Sequence, residues 1–258
     1  MLVDIWTETF ALRFGVVDRS DRLTLASTFD FFQEAAISHA ENLGVGREVM
    51  ARLGRLWVLS RISVFMERRP RWGETVTVRS WPRGWEKLLA IRDYDIQDVS
   101  GRSVIRGRGS WVIMDIERRR PLRPQTVMDT LPLNEGQDAL PDGGGGLEIR
   151  GNLHQVGERK ALYSDIDYNG HVNNARYIQW IQDITEPETL ERADKIRLDI
   201  NYLSEVKPGE TIGFWTTAIV QASSEDAGAA RFVAQAVEGR REGEQPVFRA
   251  ELRAWANG

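Results

Sequence analysis

The chain of 258 residues contains no cysteine. That excludes a disulfide framework, a thiolate-bound metal and a cysteine nucleophile. No apolar run approaches the ~18 residues that a membrane-spanning helix needs, so no span is expected. The opening MLVDIWTETFALRF has no basic stretch followed by an apolar core. It does not read as a signal peptide, and the cytoplasm is the expected compartment. Positive charge is not in excess either: 34 Lys and Arg stand against 38 Asp and Glu, a formal net charge of −4. Without a global positive field, a nucleic-acid partner is not expected. What remains, 41% hydrophobic and 28% charged residues, suits a globular chain of one large or two small domains.

Residues 121–150, PLRPQTVMDTLPLNEGQDALPDGGGGLEIR, keep neither helical nor strand periodicity and include the run Gly143–Gly146. Polyglycine has a high ordering cost, so this stretch reads as a linker over 129–146 between units at 1–128 and 147–258. The halves repeat. RISVFMERRPRWGETVTV (61–78) and RLDINYLSEVKPGETIGF (197–214) align without gaps at an offset of 136, Gly73-Glu74-Thr75 falling on Gly209-Glu210-Thr211. One helical pattern precedes each copy. Phe32, Ala36, His39 and Leu43 share one face in the first half, and Tyr177, Trp180, Ile181 and Ile184 in the second, where Pro187 closes the helix. Strand candidates follow at Thr75–Trp81, Leu88–Ile96 and Val104–Ile116, then at Thr211–Val220, Arg231–Glu238 and Val247–Trp255. One helix followed by several antiparallel strands, done twice, is a duplicated α+β unit.

The segment SDIDYNGHVNN (164–174) concentrates short polar side chains. Asp165-x-Asp167-x-Asn169-Gly170 opens like a calcium loop, but the twelfth position, where such a loop needs a bidentate glutamate, is Arg176. Calcium is rejected. A turn at Asn169-Gly170 and a helix cap at Asn173 or Asn174 explain part of the segment. They leave Asp167, Asn169 and His171. In an extended stretch these alternate residues would point to one side, beside the free N–H groups of a helix N-terminus. A carboxylate, an amide and an imidazole placed there can orient a water and polarise a carbonyl. From these residues alone, a structural turn and a chemical site both stand. His39 sits on the apolar helix face and reads as a core histidine; His154 has no partner at metal-ligand spacing.

SDIDYNGHVNNARYIQWI resembles the signature of acyl-ACP thioesterases, enzymes that hydrolyse fatty acyl chains from acyl carrier protein. FDFFQEAAISHAENLG and WVLSRISVFMERRPRWGETVTVRSWP resemble that family's N-terminal unit. The resemblance implies two tandem hotdog domains, each a long helix wrapped by an antiparallel β-sheet, with no cofactor or metal. It implies a catalytic set of Asp167, Asn169, His171 and Glu205, with helix N–H donors near Asn173 and Asn174 for the oxyanion. Plant members carry a cysteine after that glutamate; here it is Val206. Water must then be the nucleophile, activated by Glu205 or His171, the division between them left open. The first half shows no D-x-N-x-H before its helix and is expected to contribute the acyl pocket, with Phe29, Phe31, Phe32 and Trp57 as candidates for pocket or plain core. Acyl carrier protein is acidic, so the clusters Arg68, Arg69, Arg71 and Arg118, Arg119, Arg120, at the ends of two first-half strands, are expected to offer it positive docking patches beside the tunnel mouth. An acyl-CoA thioesterase or a non-catalytic acyl-binding protein is the alternative. Monomer and homodimer are both open.

Overall fold

The structure, a computed structural model, describes residues 3–217, 220–223, 231–242 and 245–256. The first half runs β1 (Trp6–Ala11), α1 (Leu25–Asn42), α2 (Arg47–Arg52), β2 (Arg55–Met66), β3 (Thr75–Glu86), β4 (Leu89–Gln97), β5 (Ser103–Asp115), β6 (Pro121–Leu122) and α3 (Gln125–Met128). The second runs β7 (His154–Lys160), α4 (Asn174–Ile184), α5 (Pro187–Arg192), β8 (Lys195–Tyr202), β9 (Thr211–Thr216), β10 (Val220–Ser223), β11 (Arg231–Arg241) and β12 (Pro246–Ala256). Among the described residues no helix is long and apolar enough to cross a membrane.

All strands join one antiparallel sheet in the order β1-β3-β4-β5-β2-β8-β12-β11-β9-β7, with β6 on β5 and β10 on β11. The halves meet at β2 and β8, paired Arg61↔Asn201, Ser63↔Asp199 and Met66↔Ile196. Ser63 and Asp199 are also the residues that the 136-residue repeat equates. A position therefore faces its own copy, and a pseudo-twofold axis passes between them. There the Ser63 hydroxyl donates to Asp199 Oδ1 at 2.5 Å. Each half is a hotdog unit, and the duplication supplies both members of the pair.

Alternation along β2 and β8 puts Ile62, Val64, Leu198 and Ile200 into the core, beneath the helices. Thr24 caps α1 by accepting from Ser27 N–H, and Leu25, Phe29, Phe32, Ala36 and His39 are buried along it. Phe32 stacks on Tyr94 with ring centroids 4.5 Å apart. In the second half α4 buries Tyr177, Ile178, Trp180 and Ile181, and Tyr177 meets Phe248 edge-on at 5.5 Å. Each such buried aromatic contributes roughly 1.5–3 kcal/mol by area. The second helix stops at Ile184, three residues short of Pro187, which instead occupies the first turn of α5. His39 is fully buried: Nε2 bonds the Val3 carbonyl and Nδ1 meets Arg92 Nη1, so its ring is held neutral, and burial with the Arg92 charge pushes its pKa down to about 4.

The glycine-rich connection is no slack tether. It lies on the sheet face turned away from the core, where Ser63, Arg108, Ser110 and Asn201 point. Gly144 N–H donates to Ser63 Oγ at 2.8 Å, and Asn201 holds Leu147 N–H and the Gly145 carbonyl. Arg108 grips Asp93 through two 2.7 Å bonds, and Asp93 in turn accepts from Ala139 N–H. A Cβ on Gly143 would come within 3.1 Å of Ser63 and Arg108 side-chain atoms. Gly143 and Gly144 are needed for close approach to the strands rather than for flexibility.

Candidate active site

The loop before α4 is built as a tight turn. After the single turn Tyr163–Asp165, Ile166 bridges Val172 across the loop. Asp167 N–H donates to the His171 carbonyl at 2.9 Å, and Gly170 N–H, at φ +81, to the Asp167 carbonyl at 3.0 Å. Asp167 Oδ1 accepts Asn169 N–H at 2.8 Å. This overturns the extended arrangement expected of residues 167–171: their side chains are set by a turn, not by strand alternation. Asn169 is exposed, and its amide reaches back to Asp167 Oδ2 at 3.4 Å, so these two residues brace the loop. Asn173 is the helix cap, its side chain accepting Ala175 N–H at 2.8 Å.

His171 and Glu205 do come together. His171 Nε2 lies 3.1 Å from Glu205 Oε2, with the side chains 29% and 45% exposed. Their meeting is enforced by backbone: Val172 N–H donates to the Val206 carbonyl at 2.9 Å, tying the loop to the segment after β8. Arg241 steadies that segment, donating to the Glu205 carbonyl at 2.6 Å while pairing with Glu210. At the start of α4, Ala175 N–H is taken by the Asn173 side chain and Arg176 N–H by the Asn173 carbonyl. The Asn174 N–H has no partner among the described residues and is part of the positive end of the helix dipole. A carboxylate–imidazole pair beside such a donor can deprotonate a water and receive an oxyanion.

Asn174 and Ala175 also close a small apolar cavity whose other walls, including Phe29, Leu59, Tyr94 and Trp111, come from the first half. Of the four aromatic candidates only Phe29 lines it. Phe31 stacks on Phe10, Phe32 on Tyr94, and Trp57 donates its indole N–H to the Val45 carbonyl. Among the described residues no group of three or more His, Cys, Asp or Glu side chains could hold a metal ion.

The first half, although it lacks the D-x-N-x-H residues, keeps the same backbone loop. At an offset of 149, Asp18, Ser20, Asp21, Arg22 and Thr24 repeat Asp167, Asn169, Gly170, His171 and Asn173. The bonds repeat too: Asp18 N–H to the Arg22 carbonyl at 2.8 Å, Asp21 N–H to the Asp18 carbonyl at 3.0 Å, and Ser20 N–H to Asp18 Oδ1 at 2.9 Å. Asp21 even keeps the left-handed backbone, at φ +64. The 136-residue repeat places Arg69 where the second half has Glu205. Imidazole and carboxylate are thus replaced by two guanidiniums, and the site is locked. Arg69, its side chain 3% exposed, pairs with Asp18 and donates to the Leu23 and Leu190 carbonyls; Arg22 donates to the Ala193 carbonyl.

Arg69 is therefore a buried inter-half tie and is corrected out of any docking patch. The remaining arginines do not form one patch. β2 and β5 are antiparallel neighbours, so the runs that follow them lie at opposite ends of the sheet. Arg68 and Arg71, paired with Glu74 and Asp21, sit at the locked pole. Arg118, Arg119 and Arg120 sit at the other, where the Arg119 guanidinium lies 4.0 Å from Glu205 Oε2. Sequence reasoning missed this contact between halves. It also missed Arg47 of α2, stacked 4.3 Å from the Tyr168 ring of the loop before α4, because each partner is far away in sequence.

Two family models match the chain: the acyl-ACP thioesterase N-terminal domain over residues 4–130 and the acyl-ACP thioesterase C-terminal domain over residues 153–247. A chloroplastic acyl-[acyl-carrier-protein] hydrolase of Cuphea viscosissima is 29% identical over 221 residues, covering 78% of this chain and 52% of that protein. The chain spans about half the length of the curated relatives it matches. An acyl-ACP thioesterase from Bacteroides thetaiotaomicron superposes with a TM-score of 0.81 at 25% identity, over 98% of both chains. The 12:0-ACP thioesterase from Umbellularia californica gives 0.81 at 25% identity, over 97% of this chain and 93% of that one.

Proposed function

The chain belongs to the acyl-ACP thioesterase family, and from that membership we propose that it hydrolyses fatty acyl thioesters of acyl carrier protein, releasing free fatty acid. The observation that carries the reading is the 3.1 Å His171–Glu205 pair beside the N-terminus of α4, the helix whose first residues, Asn174 and Ala175, line an apolar cavity. Glu205 and His171 share the removal of a proton from water, which attacks the thioester carbonyl. The Asn174 N–H and the helix dipole stabilise the resulting oxyanion, and Asp167 and Asn169 hold the loop that carries His171. Val206 leaves no thiol for a covalent route. Residues 147–258 supply this chemistry, while residues 1–128 hold the acyl chain. Arg118, Arg119 and Arg120 steer the acidic carrier to the site. We also propose the cytoplasm as its compartment, although the curated relatives carry chloroplastic names.

An assay with free-thiol detection, run with one acyl chain on carrier protein and on coenzyme A, tests this reading. Faster turnover of the carrier-bound chain is expected. Preference for coenzyme A would make the protein an acyl-CoA thioesterase, and binding without thiol release would make it an acyl-binding protein.

A further inference from the structure

The pseudo-twofold axis relates not only strands and loops but also the contact between α1 and α4. At the locked pole, Gln182 near the end of α4 reaches across to α1, its Oε1 accepting Ala26 N–H at 2.9 Å. The offset of 149 turns Ala26 into Ala175 and Gln182 into Gln33, so both members of this cross-helix cap exist twice in the sequence. At the catalytic pole the second cap is not made. Thr24, the cap of α1, is spent on Ser27 N–H and leaves Ala26 N–H for the glutamine. Asn173, the cap of α4, takes Ala175 N–H itself at 2.8 Å. Gln33 is thereby released: its amide has no hydrogen-bond partner among the described residues. It lines the small cavity together with Asn174 and Ala175, beside the open N–H donor of the helix.

We infer that Gln33, contributed by the first half, is a catalytic residue of the second-half site, its side-chain amide donating to the thioester carbonyl oxygen alongside the Asn174 N–H. The exchange of Thr24 for Asn173 explains why: a cap that satisfies the second helical N–H frees the glutamine of the opposite helix for substrate. A carboxamide suits that place because it donates without adding charge, so its bond strengthens as negative charge develops on the oxygen. The first half then provides more than a container for the chain, since the oxyanion site is incomplete without it. This assignment rests on the hydrolase reading above.

The test compares Gln33→Leu, Gln33→Glu and Gln182→Leu in steady-state hydrolysis of a short acyl thioester, with thermal unfolding of each variant. Gln33→Leu should lower kcat by ~10²–10³-fold, the usual loss for one oxyanion donor, with KM nearly unchanged. Its melting temperature should hold, because the amide has no bond to lose. Gln33→Glu keeps the shape but replaces the donor with a carboxylate and should be as slow. Gln182→Leu should do the reverse, keeping kcat and melting earlier, because the Ala26 cap is lost. Wild-type kcat in the Gln33 variants, or a slowdown that only tracks a fall in melting temperature, would overturn the assignment. An inactive wild type would instead remove the hydrolase reading on which it stands.

Discussion

Replacing Arg118 and Arg120 with serine should raise KM for acyl carrier protein, whereas replacing Arg68 and Arg71 should not. The contrast follows from strand register. In the central pair, Arg61 faces Asn201 and Met66 faces Ile196, so paired numbers sum to 262, and Glu205 extrapolates to the level of residue 57. From residue 57 to the end of β2 at Met66 is nine positions (66 − 57), about 30 Å with a rise of ~3.3 Å per residue, and Arg68 and Arg71 follow beyond it. That is several times the Debye length of ~8 Å at physiological ionic strength, so charges at the locked pole contribute little to a partner engaging Glu205. Arg118 and Arg120 are exposed and follow β5 toward the pole that holds His171 and Glu205. Each exposed pairing is worth ~0.2–1 kcal/mol, so losing two together implies a rise in KM of about twofold to 30-fold. Arg119 is left in place because it approaches Glu205, and its loss would mix docking with chemistry.

The assay measures kcat and KM for the acyl carrier substrate and for the same chain on N-acetylcysteamine, at low and high salt. The carrier substrate alone should respond to the charges at the catalytic pole, and that response should shrink as salt rises. Equal responses to both pairs of substitutions would refute the polar separation. Equal responses of both substrates would show that these arginines are only a solvated face.

Three further outcomes are expected. His171→Ala and Glu205→Gln should each lower turnover of acyl carrier protein by ~10²-fold or more with little change in melting temperature, since both side chains are partly exposed; near-normal rates would remove the site assignment. Arg69→Met should cost about 3–5 kcal/mol in denaturant unfolding, because Asp18 and two carbonyls lose a buried partner, while Arg71→Met should cost less than ~1 kcal/mol. His39 is lowered to about 4 against 6.5 unfolded, so the unfolded chain binds more protons between these values. Stability should therefore be complete above about pH 6.5 and fall toward pH 4 by roughly 2–3 kcal/mol, a loss that His39→Gln should flatten.

Much of this architecture is legible in the sequence because repetition and periodicity report backbone and burial. The 61–78 and 197–214 copies announce the duplicated unit, and β3, β4, β5, β11 and β12 fall within a few residues of their expected spans. The expected strand at Thr211–Val220 instead stops at Thr216, with β10 beginning at Val220 and residues 218–219 outside the described ones. The edge strand β1 escapes notice because exposed edges need no strict apolar alternation, and its burial alternates only between half-buried and exposed positions. Linear proximity also misleads where antiparallel pairing intervenes. Two arginine runs look alike, yet each follows a strand pointing the opposite way.

The second repeat, at offset 149, is invisible for a different reason. VVDRSDRLT and DIDYNGHVN share only Asp18 with Asp167, because what is preserved is a backbone pattern that many side chains can adopt. That loop fold has two chemical fates in one molecule. At one pole the histidine and glutamate positions hold Arg22 and Arg69, whose charges are satisfied by Asp18 and by carbonyls of the opposite half, so the site becomes a tie between halves. At the other, His171 and Glu205 satisfy each other and remain partly open to solvent. A buried tie needs every donor matched, whereas a hydrolytic site needs a pair that can exchange protons with water, and one loop cannot serve both. Duplication resolves the conflict by giving each requirement its own copy. It follows that restoring histidine and glutamate at positions 22 and 69 would unfasten the halves before it created a second active site, since Asp18 and the Leu23, Leu190 and Ala193 carbonyls would lose the donors that now fill them.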